Sequence, residues 1–362
     1  MSLLSIDAAE AARRLVASTD RFDSVIDARS PAEFAEDHLP GAVNWPVLDD
    51  EQRRVVGTLY VQDSALAARK IGAAMAARNI ALHIERWVHD KPREWQPLVY
   101  CWRGGQRSGS LAWFLDQIGF RSTRLAGGYK GFRAVVRTDL TTWPLRFRFR
   151  VLAGRTGSGK TRLLQALAAA GAQVLDLEAL ASHRGSILGG LPGQPQPSQK
   201  RFDTLLWEAL ARLDPSQPVY VESESKKIGA LQMPQALIAH MHDQGEVLRV
   251  EMPDAARVQL LLEEYGFFAD EPQRFCVLLN GLIALRGRET VAQWQALALA
   301  GDWAGVFGQL MRDHYDPLYL RSMDVNYAGY ADAHQVPMAD AAPATLQHAA
   351  LQLVGRPISA TA

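Results

Sequence analysis

Val151-Leu152-Ala153-Gly154-Arg155-Thr156-Gly157-Ser158-Gly159-Lys160-Thr161 joins an apolar run to a helical one. Its reading decides the fold of the second half of the chain. Gly154 to Thr161 matches G-x4-G-K-[ST], with a strand pattern before it and a helical pattern after it. Backbone amides from Thr156, Gly157, Ser158 and Gly159 can wrap a di- or triphosphate. Lys160 can neutralise that anion, and the Thr161 hydroxyl is a candidate Mg²⁺ ligand. No other metal site and no firm cofactor is expected.

Downstream, strands are expected at Val174 to Leu177, Val219 to Val221 and Val247 to Val250, with helices at Thr161 to Ala170 and Phe202 to Leu213. Strands alternating with helices imply a parallel sheet. Gly189 to Gln199 reads as a Gly/Pro/Gln-rich loop. Beyond about Pro253 the pattern is helical (Ala255 to Tyr265, Val291 to Ala300, Trp303 to His314), and the last dozen or so residues look frayed. Glu222 ends one strand, with Glu224 beyond it; either is a candidate metal-water ligand or base. His183, Arg184, Lys226 and Lys227 are candidate anion ligands. A nucleotide hydrolase is expected to show an Asp-terminated second motif and a water-positioning group. Neither is evident, which leaves room for a diphosphate ligand other than a nucleotide.

Upstream, Arg121 to Arg150 holds eight Lys or Arg against one acid, Asp139, a local balance of +7. It is the candidate contact for nucleic-acid phosphates. Tyr129, Phe132 and Trp143 are nearby rings that could stack on an unpaired base. Leu145 to Arg150 alternates apolar residues with Arg, predicting a strand with one charged face. The domain boundary is placed here, giving domains 1–140 and 141–362.

The first domain shows the same alternation. Strands are expected at Ser24 to Asp27, Pro97 to Tyr100 and Ser122 to Leu125, with a helix over Ser108 to Ile118 and a helical insert between Asp49 and Glu94. Between strand and helix lies Cys101-Trp102-Arg103-Gly104-Gly105-Gln106-Arg107-Ser108. Glycines let amides point into such a loop, and the following helix adds its unpaired donors and positive end. Arg103 and Arg107 add charge. These surroundings favour a cysteine thiolate and would stabilise an oxyanion, persulfide or selenyl anion on it. Cys276, in an apolar run, reads as core.

Composition excludes little. Charges balance over 362 residues, with 39 Lys plus Arg and 39 Asp plus Glu. Two cysteines make no disulfide framework, so free thiols and a cytoplasmic location are expected. Met1 to Asp20 lacks the pattern of a secretory leader, and no apolar run reaches the roughly 18 residues of a membrane span. A monomer is the default expectation.

Residues 22–133 resemble a rhodanese domain, on Asp27-Ala28-Arg29-Ser30-Pro31-Ala32-Glu33-Phe34, His38-Leu39-Pro40-Gly41-Ala42-Val43-Asn44, the cysteine loop and Leu125-Ala126-Gly127-Gly128. The Cys-x5-Arg spacing is one residue longer than in common single-domain members. It is shared with cysteine phosphatases. Over roughly residues 5–330 the chain resembles the bacterial tRNA 2-selenouridine synthases. The phosphate loop, His183 to Ser186, Pro197-Ser198-Gln199-Lys200 and Glu222 to Gly229 carry this together with the cysteine loop and Gly127 to Arg133.

The resemblance implies a rhodanese-like parallel-sheet domain followed by a P-loop NTPase-like α/β domain with a helical C-terminal region. It implies a selenotransferase that replaces the sulfur of 2-thiouridine at the tRNA wobble position with selenium from selenophosphate, through an S-geranyl intermediate made from geranyl diphosphate. Cys101 would carry selenium, with Arg103, Gly104, Gly105, Arg107 and Ser108 around it. Placing the diphosphate on Gly154 to Thr161, with His183 and Arg184 as further anion ligands and Glu222 as a metal-water ligand or base, is an inference added to the resemblance, as is placing the anticodon loop on Arg121 to Arg150. The rival readings are a Cys-x5-Arg phosphatase, a plain sulfurtransferase with a nucleotide-binding domain, and an RNA-binding protein with an idle rhodanese domain.

Overall fold

The computed structural model describes residues 3–17, 19–327 and 329–356. The chain divides into two compact units, residues 1–140 with 197–212, and residues 141–196 with 213–362.

In the first unit, β1 (Leu4–Ile6), β2 (Ser24–Asp27), β3 (Ala42–Asn44), β4 (Pro97–Tyr100) and β5 (Thr123–Leu125) form a sheet in the order β1-β5-β4-β2-β3. Every pairing is parallel. β4 is central and buried along its whole length, as expected for a parallel strand covered on both faces. Ile26, Val99, Leu111, Leu115 and the rings of Trp45 and Trp95 pack into one core. The insert is helical, at Asp50–Gln62 and Ala65–Trp87. Asp49 and Gln52 close a reciprocal cap on the first of these helices.

The second unit starts with β6 (Arg148–Ala153). β7 (Gln173–Leu175), β8 (Pro218–Glu222), a short hairpin of β9 (Lys227–Ile228) and β10 (Leu231–Gln232), then β11 (Glu246–Glu251) and β12 (His334–Pro337) follow. The main sheet runs β12-β11-β6-β8-β7, all parallel, again with the functional strand in the middle. One core lies beneath helices Lys160–Ala169 and Pro343–Val354, around Leu152, Leu163, Leu167 and Leu248. A second is wholly helical and rich in rings, with Phe268, Phe275, Trp294 and Phe307. Cys276 packs half-buried against it.

Several boundaries differ from the sequence reading. Residues 197–212 belong to the first unit, so the second domain is not continuous from 141 to 362. The reason is polar. Asp37 is fully buried, and helix Gln199–Ala211 supplies Thr204, whose hydroxyl donates to it at 2.9 Å. Asp203 of the same helix accepts from Arg133 at 2.7 Å. Trp207 packs edge-on against Phe132, with ring centres 5.4 Å apart. Trp143–Arg146 is a 3₁₀ turn, and the strand begins only at Arg148. Its Arg150 is no solvent-facing charge; it is buried and donates to Glu246 at 2.8 Å. β7 stops at Leu175 because the Asp176 side chain caps helix Leu177–Ala181. The region after Pro253 is not all helical: the chain returns as β12 to complete the sheet. The C-terminus is a helix to Val354, and residues 357–362 lie outside the described residues.

Candidate functional site

The cysteine loop leaves the carboxyl end of β4 and enters helix Gln106–Ile118. Cys101 is 3% exposed. Two donors converge on its sulfur: the Gly105 N–H and the Ser108 hydroxyl, each 3.2 Å from Sγ. A sulfur accepting two hydrogen bonds is a site prepared for negative charge.

The loop is held by a second turn. Tyr129 N–H donates to Cys101 O at 2.8 Å and Lys130 N–H to Trp102 O at 2.9 Å. Gly104 and Gly128 sit in the left-handed region, at φ +67° and +56°. A Cβ on Gly128 would lie 2.2 Å from Cys101 O, and one on Gly104 2.5 Å from Leu125 O. Any side chain at either position would push the two turns apart.

The two arginines differ from expectation. Arg107 donates to Glu33 at 2.6 Å, and Arg53 lies 3.1 Å from the same carboxylate. Its charge is therefore compensated by Glu33. Burial favours the neutral form of Glu33, but Arg107 outweighs it and holds the carboxyl below its ordinary range. Arg103 is exposed. Below the loop, Arg29 pairs with Asp27 at 2.6 Å and lies over the Tyr129 ring at 3.9 Å. Burial pushes the Asp37 carboxyl up although Tyr129 and Thr204 both donate to it.

The phosphate loop leaves β6 and enters helix Lys160–Ala169. A cavity of about 110 Å³ is lined by Thr156 to Thr161, Glu178, Arg184, Glu222 and Glu264, among others. Lys160 Nζ donates to Gly154 O at 2.8 Å. Gly154 N–H donates to the Tyr319 hydroxyl at 2.5 Å. The Thr161 hydroxyl bonds the Glu222 carboxylate, whose Oε1 is buried without a hydrogen-bond partner.

Arg184 faces this cavity, but also donates to Glu264 O at 2.8 Å. His183 does not line it; its Nδ1 accepts the Gly185 N–H at 3.1 Å. His183 thus shapes its turn. Sequence reasoning missed Glu178, which is separated from Glu222 by more than forty residues. Glu178, Glu222 and Glu224 gather near Lys160, with all three carboxyls pushed up by burial. Glu222 adds to the effect on the other two. The only hint in the sequence was Asp176-Leu177-Glu178 at a strand end.

The basic segment is divided between the units; within them, Arg133 and Arg150 are internal ion-pair partners. Arg121, Lys130, Arg137, Arg146 and Arg148 remain exposed. Tyr129 and Phe132 are core residues, and Trp143 is half-buried.

A family model described as "Rhodanese-like domain" matches residues 7–135, and one described as "tRNA 2-selenouridine synthase AAA domain" matches residues 147–277. Three curated relatives carry the name tRNA 2-selenouridine synthase. The one from Nitrosomonas europaea is 39% identical over 248 residues, spanning 67% of this chain and 63% of the relative. The one from a Sulfurovum species is 36% identical, spanning 68% and 67%. The one from Marinobacter nauticus is 34% identical over 324 residues, spanning 82% of this chain and 87% of the relative. The matched part is thus somewhat under two thirds of the Nitrosomonas protein's length and most of the Marinobacter protein's.

Proposed function

Because the chain belongs to the tRNA 2-selenouridine synthase family, we propose that it exchanges the sulfur of a tRNA 2-thiouridine for selenium. The observation that carries this reading is the pair of donors aimed at Cys101 Sγ. The Cys101 thiolate, to which the Gly105 amide and Ser108 hydroxyl donate, attacks the phosphorus of selenophosphate; an S–P bond forms, the P–Se bond breaks, selenide leaves with the electron pair, and water then frees phosphate from the cysteine. Such a partner for an RNA base fits a cytoplasmic enzyme; no helix among the described residues is long and apolar enough to cross a membrane.

The phosphate loop serves the other half of the exchange. Sulfur is a poor leaving group until it is alkylated. The soft thiocarbonyl sulfur attacks the allylic carbon of geranyl diphosphate, the C–O bond breaks, and diphosphate departs with the electron pair. Selenide then adds to the carbon that bears the alkylated sulfur, and geranylthiolate leaves with the C–S electron pair. Amides of Thr156 to Gly159 bind that diphosphate and Lys160 offsets its charge. A Mg²⁺ ion fits this loop, since the Thr161 hydroxyl and the unpartnered Glu222 oxygen are hard donors. It would supply charge neutralisation of the leaving diphosphate. Exposed Arg121, Lys130, Arg137, Arg146 and Arg148 are the groups available to tRNA phosphates.

Purified chain given selenophosphate and 2-thiouridine tRNA should form 2-selenouridine, read by mass spectrometry of nucleosides. Cys101→Ala should lose it by about 10³-fold or more, while Lys160→Ala should lose S-geranyl-tRNA. Normal selenium transfer by Cys101→Ala overturns the role given to the cysteine. A Cys101-dependent aryl phosphatase activity indifferent to tRNA would favour the phosphatase reading instead.

A further inference from the structure

Two further hollows adjoin the phosphate loop in the second unit. One, lined by Leu188, Leu261, Phe307 and Leu310 among others, holds about 10 Å³, room for a single water. The other holds about 800 Å³. It meets the phosphate cavity at Ser158 and lies along the carboxyl ends of β11 and β12. Its wall includes Met252, Pro253, Leu320, Tyr330, Pro337 and Met338. The apolar surface starts at the loop itself, since a Cβ on Gly159 would meet the methyl carbons of Met252 and Met338 at 3.3 Å each.

The wall also carries three guanidiniums, and each is already matched. Arg249 donates to Glu251 at 2.8 Å. Arg257 is fully buried, donates to Asp254 at 2.8 Å and pairs with Asp316 at 2.5 Å. Arg155 lies 3.3 Å from Asp254 and 3.2 Å from Asp316. Three cations against three carboxylates leave this cleft electrically balanced, beside a loop suited to anions. A ligand that spans both has a charged head and an uncharged remainder. Paired guanidiniums and carboxylates offer little to the edge of a nucleobase, which needs partners of its own. Thioethers and an apolar wall suit a flexible hydrocarbon.

We propose that this cleft binds the hydrocarbon chain of a prenyl diphosphate, and that Met252, Leu320, Tyr330 and Met338 select such a diphosphate over a nucleotide. The inference rests on the reading of the phosphate loop as the diphosphate site. It assigns the part of the ligand that the loop amides do not reach.

The full chain is titrated by calorimetry with geranyl diphosphate, dimethylallyl diphosphate and ADP, with Mg²⁺ present throughout. The two prenyl diphosphates carry the same head and differ by one isoprene unit. Geranyl diphosphate should bind about tenfold or more tightly than either of the others, and inorganic diphosphate should displace it. Leu320→Asn and Ala339→Trp change exposed positions of the wall. Each should cut the preference for geranyl over dimethylallyl diphosphate by about threefold or more, while inorganic diphosphate binds as in wild type. Equal affinities for the two prenyl diphosphates, or tighter binding of ADP, overturn the cleft assignment and leave the diphosphate reading standing. So does a preference unchanged in both variants. Failure of inorganic diphosphate to bind or compete overturns the diphosphate reading, and this inference with it.

Discussion

The cysteine loop and the phosphate loop share a plan: a central parallel strand, a glycine-bearing turn and a helix. They differ in what surrounds them. The cysteine loop is locked backbone to backbone against the turn at Gly127 and Gly128, and its donors already point at a protein sulfur. The phosphate loop is braced by side chains, with Tyr319 on Gly154 N–H and Arg257 on Thr156 O, and faces three carboxylates. One loop is therefore complete without a ligand, while the other has buried polar atoms that a ligand would satisfy. The same device surrounds a sulfur of the chain in one case and an open cavity in the other.

The largest effect that tests this contrast is Gly128→Ala. The substituted residue would face Cys101 O at 2.2 Å from a backbone at φ +56°. It should destabilise the first unit by about 3 kcal/mol or more in denaturant unfolding. A loss below about 1 kcal/mol would mean that the two turns are not locked together.

Next comes Thr204→Val, which removes one donor from buried Asp37. It should cost about 1–3 kcal/mol and raise hydrogen exchange in helix Gln199–Ala211. An unchanged exchange pattern would deny the helix its polar anchor.

Tyr319→Phe takes the acceptor from Gly154 N–H and should cost about 1 kcal/mol. It should weaken inorganic diphosphate binding, read by calorimetry, without altering the alkylation rate of Cys101. Equal damage at both sites would erase the distinction between them.

The smallest effect is with pH. Asp37 has a folded pKa raised above its ordinary value of 3.8 by burial. Its contribution is fully present below that value and is lost as pH rises through the higher folded pKa. Asp37→Asn should flatten the stability profile from about pH 4 upward. A profile parallel to wild type would remove Asp37 from the account.

Both loops were legible because their signals are local. A strand, glycines and a helix contiguous in sequence already specify where amides point, so Cys101, Ser108, Lys160 and Thr161 stand where their neighbours place them. The parallel sheets were legible for the same reason, since Pro97 to Tyr100 and Val219 to Val221 are short apolar runs between helical ones. Charge was not. Arg107, Arg133 and Arg150 look alike in sequence, yet each finds a carboxylate from a distant segment: Glu33, Asp203 and Glu246. Within the +7 segment, Arg133 and Arg150 are thus spent on internal pairs, while Arg121, Lys130, Arg137, Arg146 and Arg148 stay exposed.

By itself, the sequence determined the two local architectures, a thiol in a ring of donors and a glycine-rich phosphate loop. Tertiary structure alone decided which polar groups meet. It returned helix Gln199–Ala211 to the first unit, brought β12 back to the second sheet, and set Glu178 beside Glu222 and Glu224. The physical reason is reach. Backbone donors act within a few residues, whereas a buried charge must find its partner wherever the fold delivers one.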